Sequence, residues 1–319
     1  MGVNADVGKA EDRLPFSARA EVEQFILSMH KNHGFDEKEL AGKFDQINPN
    51  ATVLQAIQPA AMPEGQRSWQ RYRQRFVNSR RIKNGLIFWE NNKAALHYAS
   101  AQYGVPPEII VSIIGIETDY GSHMGNFNVL EALATLAFDY PRRAAFFKRE
   151  LEHFLLLARE NRFSALGIRG SFAGAIGIPQ FLPSSWRNYA VDFDNNQLID
   201  LINSPCDAIG SVGNFLLVHG WIEGAPIASP ITRMQMDPNK PIARGIKPDL
   251  PLEEFWARGV FAKGDPEQPA ALVGLVTTNQ PTEYWAGFNN FYVITRYNRS
   301  SFYAMAVFQL AEALRAARG

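Results

Sequence analysis

Cysteine is almost missing from this chain: Cys206 is the only one in 319 residues. A single thiol closes no internal disulfide, so cysteine usage reports nothing about an oxidising compartment. There is no Cys pair and no His-Glu-x-x-His helix, which removes the usual zinc patterns. Cys206 itself reads as a small buried thiol. An excess of one charge is missing too. Lys+Arg and Asp+Glu both number 32, so no global field draws the chain to nucleic acid. The one basic cluster, Arg71-Tyr72-Arg73-Gln74-Arg75 continuing at Arg80-Arg81, reads as a solvated helix face rather than a polyanion patch. No apolar run approaches the roughly 18 residues that span a bilayer. Met1 to Pro15 is polar and lacks the apolar stretch of a signal peptide, so an exported form is expected to carry its export segment outside this chain. The glycine-rich Gly170 to Gly177 lacks the Lys-Ser/Thr ending of a phosphate loop.

What is present is an ordinary globular balance, 46% hydrophobic and 20% charged, over a length that suits two or three lobes. Residues 1–16 read as a disordered leader. Val22, Phe25, Ile26 and Met29 fall at helical spacing, stopped by Gly34. Asp36 with Glu39 three later opens the next helix. Trp69, Tyr72 and Phe76 share a helical face, and a long helix ends at Tyr103-Gly104 before Pro106 and Pro107. A helix begins on Pro107 and runs to about Tyr120, closed by Gly121; others cover Val129 to Phe138, a long stretch from Pro141, and Cys206 to His219. Prolines and short apolar runs after Trp221 read as loops with short strands. Phe302 to Ala317 is helical again. The fold class is mainly α (α+β). The expected lobes are a helical one over 17–104, a core over 105–224, a small β lobe over 225–290, and a return to the core over 291–319.

Ile110, Ile113, Ile114 and Glu117 sit at i, i+3, i+4 and i+7, which puts a carboxylate on the apolar face of a helix. Carboxylates are rarely buried unless paired or functional, and no Lys or Arg lies three or four residues away. Burial raises a carboxyl pKa, and the negative end of the helix dipole pushes the same way. Both effects favour a neutral acid near pH 7, as general acid catalysis requires. A Glu tied to a distant Arg or to backbone amides would fit the same pattern. A conventional glycosidase needs a second carboxylate. Asp119 points to another side of the helix, and Asp139 is not obviously convergent. One residue serving twice, as acid and then as base, would use a hydroxyl of the same sugar as nucleophile and form an intramolecular anhydro ring.

At these residues the chain resembles the membrane-bound lytic murein transglycosylase B family. Ile113-Ile114-Gly115-Ile116-Glu117-Thr118-Asp119-Tyr120-Gly121 resembles the motif of its catalytic glutamate. The run from Gly170 through Ser171, Gln180 and Ser185 resembles a second motif, and Thr295-Arg296-Tyr297-Asn298 with Tyr303 a third. Ala132 to Leu136, Tyr140-Pro141-Arg142-Arg143 and Asp207 to Val212 agree as well. The likeness covers roughly residues 15–319. It implies a lysozyme-like core with an N-terminal helical lobe and a small inserted β lobe. It implies cleavage of the β-1,4 bond between N-acetylmuramic acid and N-acetylglucosamine in peptidoglycan, leaving a 1,6-anhydromuramoyl end. Glu117 would be acid then base. Ser171 and Gln180 would contact the sugar or orient Glu117, while Tyr72, Tyr297, Asn298 and Tyr303 would line the groove. Ser171 could equally fold the glycine loop, and Gln180 could satisfy backbone groups. The chain departs at Phe215, where a tyrosine is expected; the ring can still wall the groove, without a hydroxyl. The resemblance also implies a periplasmic monomer, outer-membrane-anchored in a full-length form. Its partners would be glycan strands and cell-wall synthesis or remodelling proteins.

No cofactor is required for this chemistry. Asp192, Asp194 and Asn196 supply oxygens at positions 1, 3 and 5 of a loop resembling the start of an EF-hand, and Leu198 can offer its carbonyl. Family members can carry calcium here, closed by an aspartate matching Asp207. Position 6 is Gln197 where the turn favours Gly, and position 12 is Asn203 rather than Glu. A structural calcium ion and a plain solvated acidic turn both fit. Two other readings of the whole chain stand beside the lyase: a hydrolytic muramidase at the same site, and a catalytically silent peptidoglycan-binding protein.

Overall fold

The computed structural model describes residues 14–58, 68–235 and 245–319. The chain forms two compact units, each discontinuous in sequence. Among the described residues, one gathers 14–58, 124–188 and 201–203; the other gathers 68–123, 189–200, 204–235 and 245–319. The consecutive lobes expected from the sequence divide the chain differently, because contacts between distant segments, not chain order, decide what packs. Most of the expected leader, residues 1–13, lies outside the described residues. Phe16 already belongs to the fold: it opens a short 3-10 turn, Phe16–Ala18, and is fully buried.

The first unit is built on a helical hairpin, Val129–Asp139 against Ala144–Glu160. Phe16, Phe25, Phe44 and Phe138 meet edge to face or tilted with centroids 6.0–6.5 Å apart, the geometry aromatic quadrupoles prefer. Gly34 caps Ala20–His33 in the left-handed conformation at φ 67°, and Asp36 accepts the Glu39 amide at 2.8 Å. A two-stranded ladder the sequence did not announce pairs Phe127–Asn128 with Arg169–Gly170, antiparallel.

The second unit wraps helices around Pro107–Thr118. The long helix expected to end at Tyr103 is two, Ser79–Asn91 and Lys93–Tyr103, broken at Asn92. Around the central helix also lie Pro205–Val218 and Ser301–Arg318, and Asn289–Tyr297 packs on the latter. The same unit holds a five-stranded antiparallel sheet in the order Leu250–Pro251, Pro269–Leu275, Glu283–Gly287, Ala228–Met234, Val260–Ala262. Its own small core gathers Leu252, Phe255, Val260, Ala270, Ala286 and Phe288. Trp69 ties the sheet to the helix Trp69–Phe76, its amide bonding the Val276 carbonyl at 2.8 Å and its indole the Glu283 carboxylate at 3.1 Å. No helix among the described residues is long and apolar enough to cross a membrane.

Candidate active site

The helix that carries Glu117, Pro107–Thr118, was expected to bury one apolar face. It is instead buried all round, as a helix apolar on every face must be. From Ile109 to Asp119 only Glu117 is partly exposed; the others are buried. Burial pushes its pKa up from 4.5 to about 7, against a smaller pull downward from a Tyr303 hydrogen bond. The Tyr303 hydroxyl donates to Glu117 Oε1 at 2.6 Å. The helix dipole, expected to help raise this pKa, is countered at its C-terminal end. The Gly115 carbonyl there accepts both the Asp119 amide and the Arg81 guanidinium.

Tyr303 sits near the start of Ser301–Arg318, whose N-cap Ser300 accepts its amide at 3.3 Å. Tyr297 ends the preceding helix and stacks on Tyr303, centroids 6.4 Å apart and planes 14° from parallel. Tyr72 comes from Trp69–Phe76 and packs on Phe302 at 5.7 Å. Burial raises all three phenol pKa values, and the Glu117 carboxylate adds to each; Tyr72 reaches about 12. Four of the predicted residues, Glu117, Tyr72, Tyr297 and Tyr303, thus converge around one carboxyl. Asn298 follows Tyr297 and is exposed.

Phe215 is not a groove wall: it is 6% exposed. Its ring is covered by Tyr297 at 4.8 Å, Tyr189 at 5.1 Å and His219 at 4.0 Å. It backs Tyr297 instead. Ser171 and Gln180 belong to the other unit. There the Ser171 hydroxyl oxygen accepts the Ala173 and Ala175 amides at 3.3 and 3.0 Å. The Gln180 amide donates to the Met124 and Gly177 carbonyls at 3.0 and 2.9 Å. Both side chains therefore fold the glycine loop.

Asp119 is spoken for. It is 5% exposed, with Oδ2 at 2.8 Å from Arg80 Nη1 and Oδ1 at 3.8 Å from Arg81 Nη1. The basic run is accordingly mixed: Arg71, Arg73, Arg75 and Arg80 are exposed as a solvated face should be, and Arg81 is buried.

In the acidic loop, single oxygens of Asp192, Asp194 and Asp207 lie within 4.8 Å of one another. Asp192 accepts the Asn196 and Gln197 amides at 3.0 and 2.7 Å, and Asn196 accepts the Leu198 amide at 2.9 Å. Buried Asp207 clasps the loop through the Phe193 and Asp200 amides, both at 2.8 Å. Gln197 makes the tight turn at φ 71° without being glycine. Cys206 is half-buried rather than buried. Desolvation and then the aspartates 194, 207 and 192 push its thiol pKa up, which keeps it protonated and unreactive.

The model of the transglycosylase SLT domain family matches residues 17–312. The chain belongs to this family of lytic transglycosylases, and its mainly α fold is the lysozyme-like one of that class. Its relatives include the membrane-bound lytic murein transglycosylase B of Escherichia coli K12, 42% identical over 95% of this chain and 85% of that protein. The soluble lytic transglycosylase SltB1 of Pseudomonas aeruginosa is 44% identical, with a TM-score of 0.88 over 94% of this chain and 99% of that one. The Escherichia coli lytic transglycosylase Slt35, solved in complex with calcium, is 42% identical, with a TM-score of 0.87 over 95% of each chain.

Proposed function

We propose that this lytic transglycosylase cuts the β-1,4 bond between N-acetylmuramic acid and N-acetylglucosamine in peptidoglycan, with Glu117 as its only acid and base. The observation that carries the reading is a carboxyl pushed up to about 7 by burial beside three tyrosines, with the neighbouring Asp119 neutralised by arginine. Neutral Glu117 protonates the glycosidic oxygen as the bond to the muramoyl C1 breaks. The resulting carboxylate then takes the proton of the muramoyl C6 hydroxyl as that oxygen bonds to C1. The ring closes, Glu117 is neutral again, and no water is consumed. Tyr303 holds the acting oxygen in place, and Tyr72, Tyr297 and Asn298 line the groove. Ser171 and Gln180 serve the sugar from the glycine loop. The substrate suits a periplasmic enzyme, and membrane anchoring would match the membrane-bound Escherichia coli relative. Mass spectrometry of digested murein tests the reaction: 1,6-anhydromuramoyl ends are expected, and reducing muramic ends would make the enzyme a hydrolase.

Tyr303→Phe removes the hydrogen bond that holds the Glu117 pKa down, so that pKa rises above about 7. The acid form then survives to higher pH. The basic limb of the kcat/KM profile moves upward, while the maximal rate falls roughly 10–100-fold, the worth of one charge-assisted bond. An unmoved basic limb would show that this bond does not set the protonation of Glu117.

The acidic loop suits a structural Ca²⁺. Asp192, Asp194 and Asp207 bring three carboxylate oxygens within 4.8 Å of one another, and hard oxygen donors are what calcium takes. Asn196 and the Leu198 carbonyl would complete the set. Calcium is expected to raise Tm, by an amount near 3 kcal/mol in stability at about 100 times Kd. Asp194→Asn should erase that rise, and an equal rise in the variant would remove the ion from the loop.

A further inference from the structure

Resting on the assignment of Glu117 as the acid, we propose that Arg81 is a positioning residue that fixes the end of the Glu117 helix. Arg81 starts from a helix whose N-cap, Asn78, accepts its amide at 3.0 Å. Its guanidinium reaches three things at once. Nη1 donates to the carbonyl of Gly115, two residues before Glu117. The same nitrogen lies 3.8 Å from Asp119 Oδ1, two residues after Glu117. The guanidinium carbon stands 5.4 Å from the Phe76 ring, and Phe76 packs on Tyr72 at 4.9 Å.

The chain just beyond Glu117 explains why a clamp is needed. Asp119, Tyr120 and Gly121 take three consecutive left-handed conformations, at φ 50°, 62° and 87°. For the first two a Cβ makes that conformation unfavourable, so surrounding contacts must impose it. Tyr120 swings back between two helices. Its hydroxyl donates to the Arg81 carbonyl at 2.9 Å. Its ring fills the space where a Cβ on Gly85 or Gly115 would stand, 2.4 and 2.6 Å from the ring or hydroxyl atoms. The Arg81 backbone and side chain therefore hold both sides of the turn on which Glu117 rests.

Stability alone does not account for this arginine. A buried ion pair contributes little next to well-packed apolar residues of similar volume. This pair is also incompletely satisfied: among the described residues, Arg81 Nε and Asp119 Oδ1 are buried with no hydrogen-bond partner. What the guanidinium supplies is direction: a hydrogen bond to Gly115 and a positive charge beside Asp119, on either side of one carboxyl. A misplacement of about 1 Å in a reacting group costs on the order of 100-fold in rate.

The test uses the full chain and soluble peptidoglycan strands, with four forms: unmodified, Arg81→Met/Asp119→Asn, Arg81→Lys and Glu117→Gln. The double variant removes both buried charges and leaves none stranded. Its kcat is expected to fall roughly 30–100-fold with KM within about threefold, since the groove is untouched while the acid is misplaced. Its Tm should stay within a few degrees of the unmodified chain. Arg81→Lys keeps the charge but loses the planar guanidinium set over Phe76 and its reach to the Gly115 carbonyl, so its kcat should stay at least tenfold down. A double variant within threefold of full kcat, a loss of kcat that follows the unfolded fraction, or full activity in Arg81→Lys would each overturn the proposal. If the double variant does not fold, Arg81→Lys alone decides. Cleavage by Glu117→Gln would instead remove the assignment of the acid, a failure distinguishable from that of the clamp.

Discussion

Glu117→Gln abolishes formation of anhydromuramoyl ends, by roughly a thousandfold or more, while soluble glycan still binds within about threefold of the unmodified affinity. Gln keeps the shape and can still accept the Tyr303 hydroxyl, but it carries no proton to give. The neighbouring Asp119 carboxyl is not free to take its place, because it is held by Arg80. Stability changes in the opposite direction from activity. The folded-state pKa of Glu117 is about 7, above its ordinary 4.5. The neutral acid is therefore favoured by folding, and that advantage is complete below about 4.5 and lost as pH rises through about 7. Above neutrality the unmodified chain must hold a buried carboxylate, at a cost on the order of 2 kcal/mol once its solvent contact is allowed for. Gln removes that cost. The Tm of the variant should match the unmodified chain at pH 5 and exceed it by about 5 °C at pH 8. Equal Tm values at both pH values, or cleavage that survives the substitution, would refute the assignment.

Local signals in the sequence were good guides to where helices stop and start. Gly34 and Gly104 both take the left-handed cap, at φ 67° and 65°, and Pro107 opens its helix. Those features depend on neighbours in the chain. The site depends on distance. Glu117 and Tyr303 are 186 residues apart, and only the family motifs connected them; no periodicity joins two helices that far separated. Arg81 was illegible for a related reason. Inside a basic run, a residue at the end of the exposed face looks like its neighbours, and only the tertiary fold decides that this arginine turns inward. The left-handed run at Asp119 and Tyr120 was also hidden, because neither residue type advertises it; the helix was expected to reach Tyr120 and stops at Thr118. Phe215 was expected on the groove because its sequence position is that of a wall residue. Burial behind Tyr297 and His219 follows from packing that spacing does not encode.

Gly170→Ala should unfold the loop that carries Ser171 and Gln180, lowering stability by about 3 kcal/mol or more and Tm by roughly 10 °C. The glycine-rich segment was conspicuous in the sequence, and its glycines answer to particular contacts. A Cβ on Gly170 would lie 2.3 Å from the Ala175 carbonyl oxygen and 2.8 Å from Val129 Cγ2. The first of these is backbone, which has no rotamer through which to give way. Gly125 approaches from the other side at φ 92°, and its added Cβ would meet the Gly170 carbonyl oxygen at 2.2 Å. Chain lies on chain here, and the ladder of Phe127–Asn128 with Arg169–Gly170 depends on it. The bonds that give Ser171 and Gln180 their places, to Ala173, Ala175, Met124 and Gly177, run through the same few residues. Displacing Gly170 should therefore cost glycan cleavage at temperatures where the chain is still folded. Gly167→Ala is the matched control. Its nearest neighbour would be the Ser164 carbonyl oxygen at 3.5 Å, an ordinary contact, and its φ is not in the left-handed range. That substitution should leave Tm within about a degree and activity unchanged. Similar losses from both alanines would mean that the segment tolerates no side chain anywhere, and would detach the effect from the contact at Ala175.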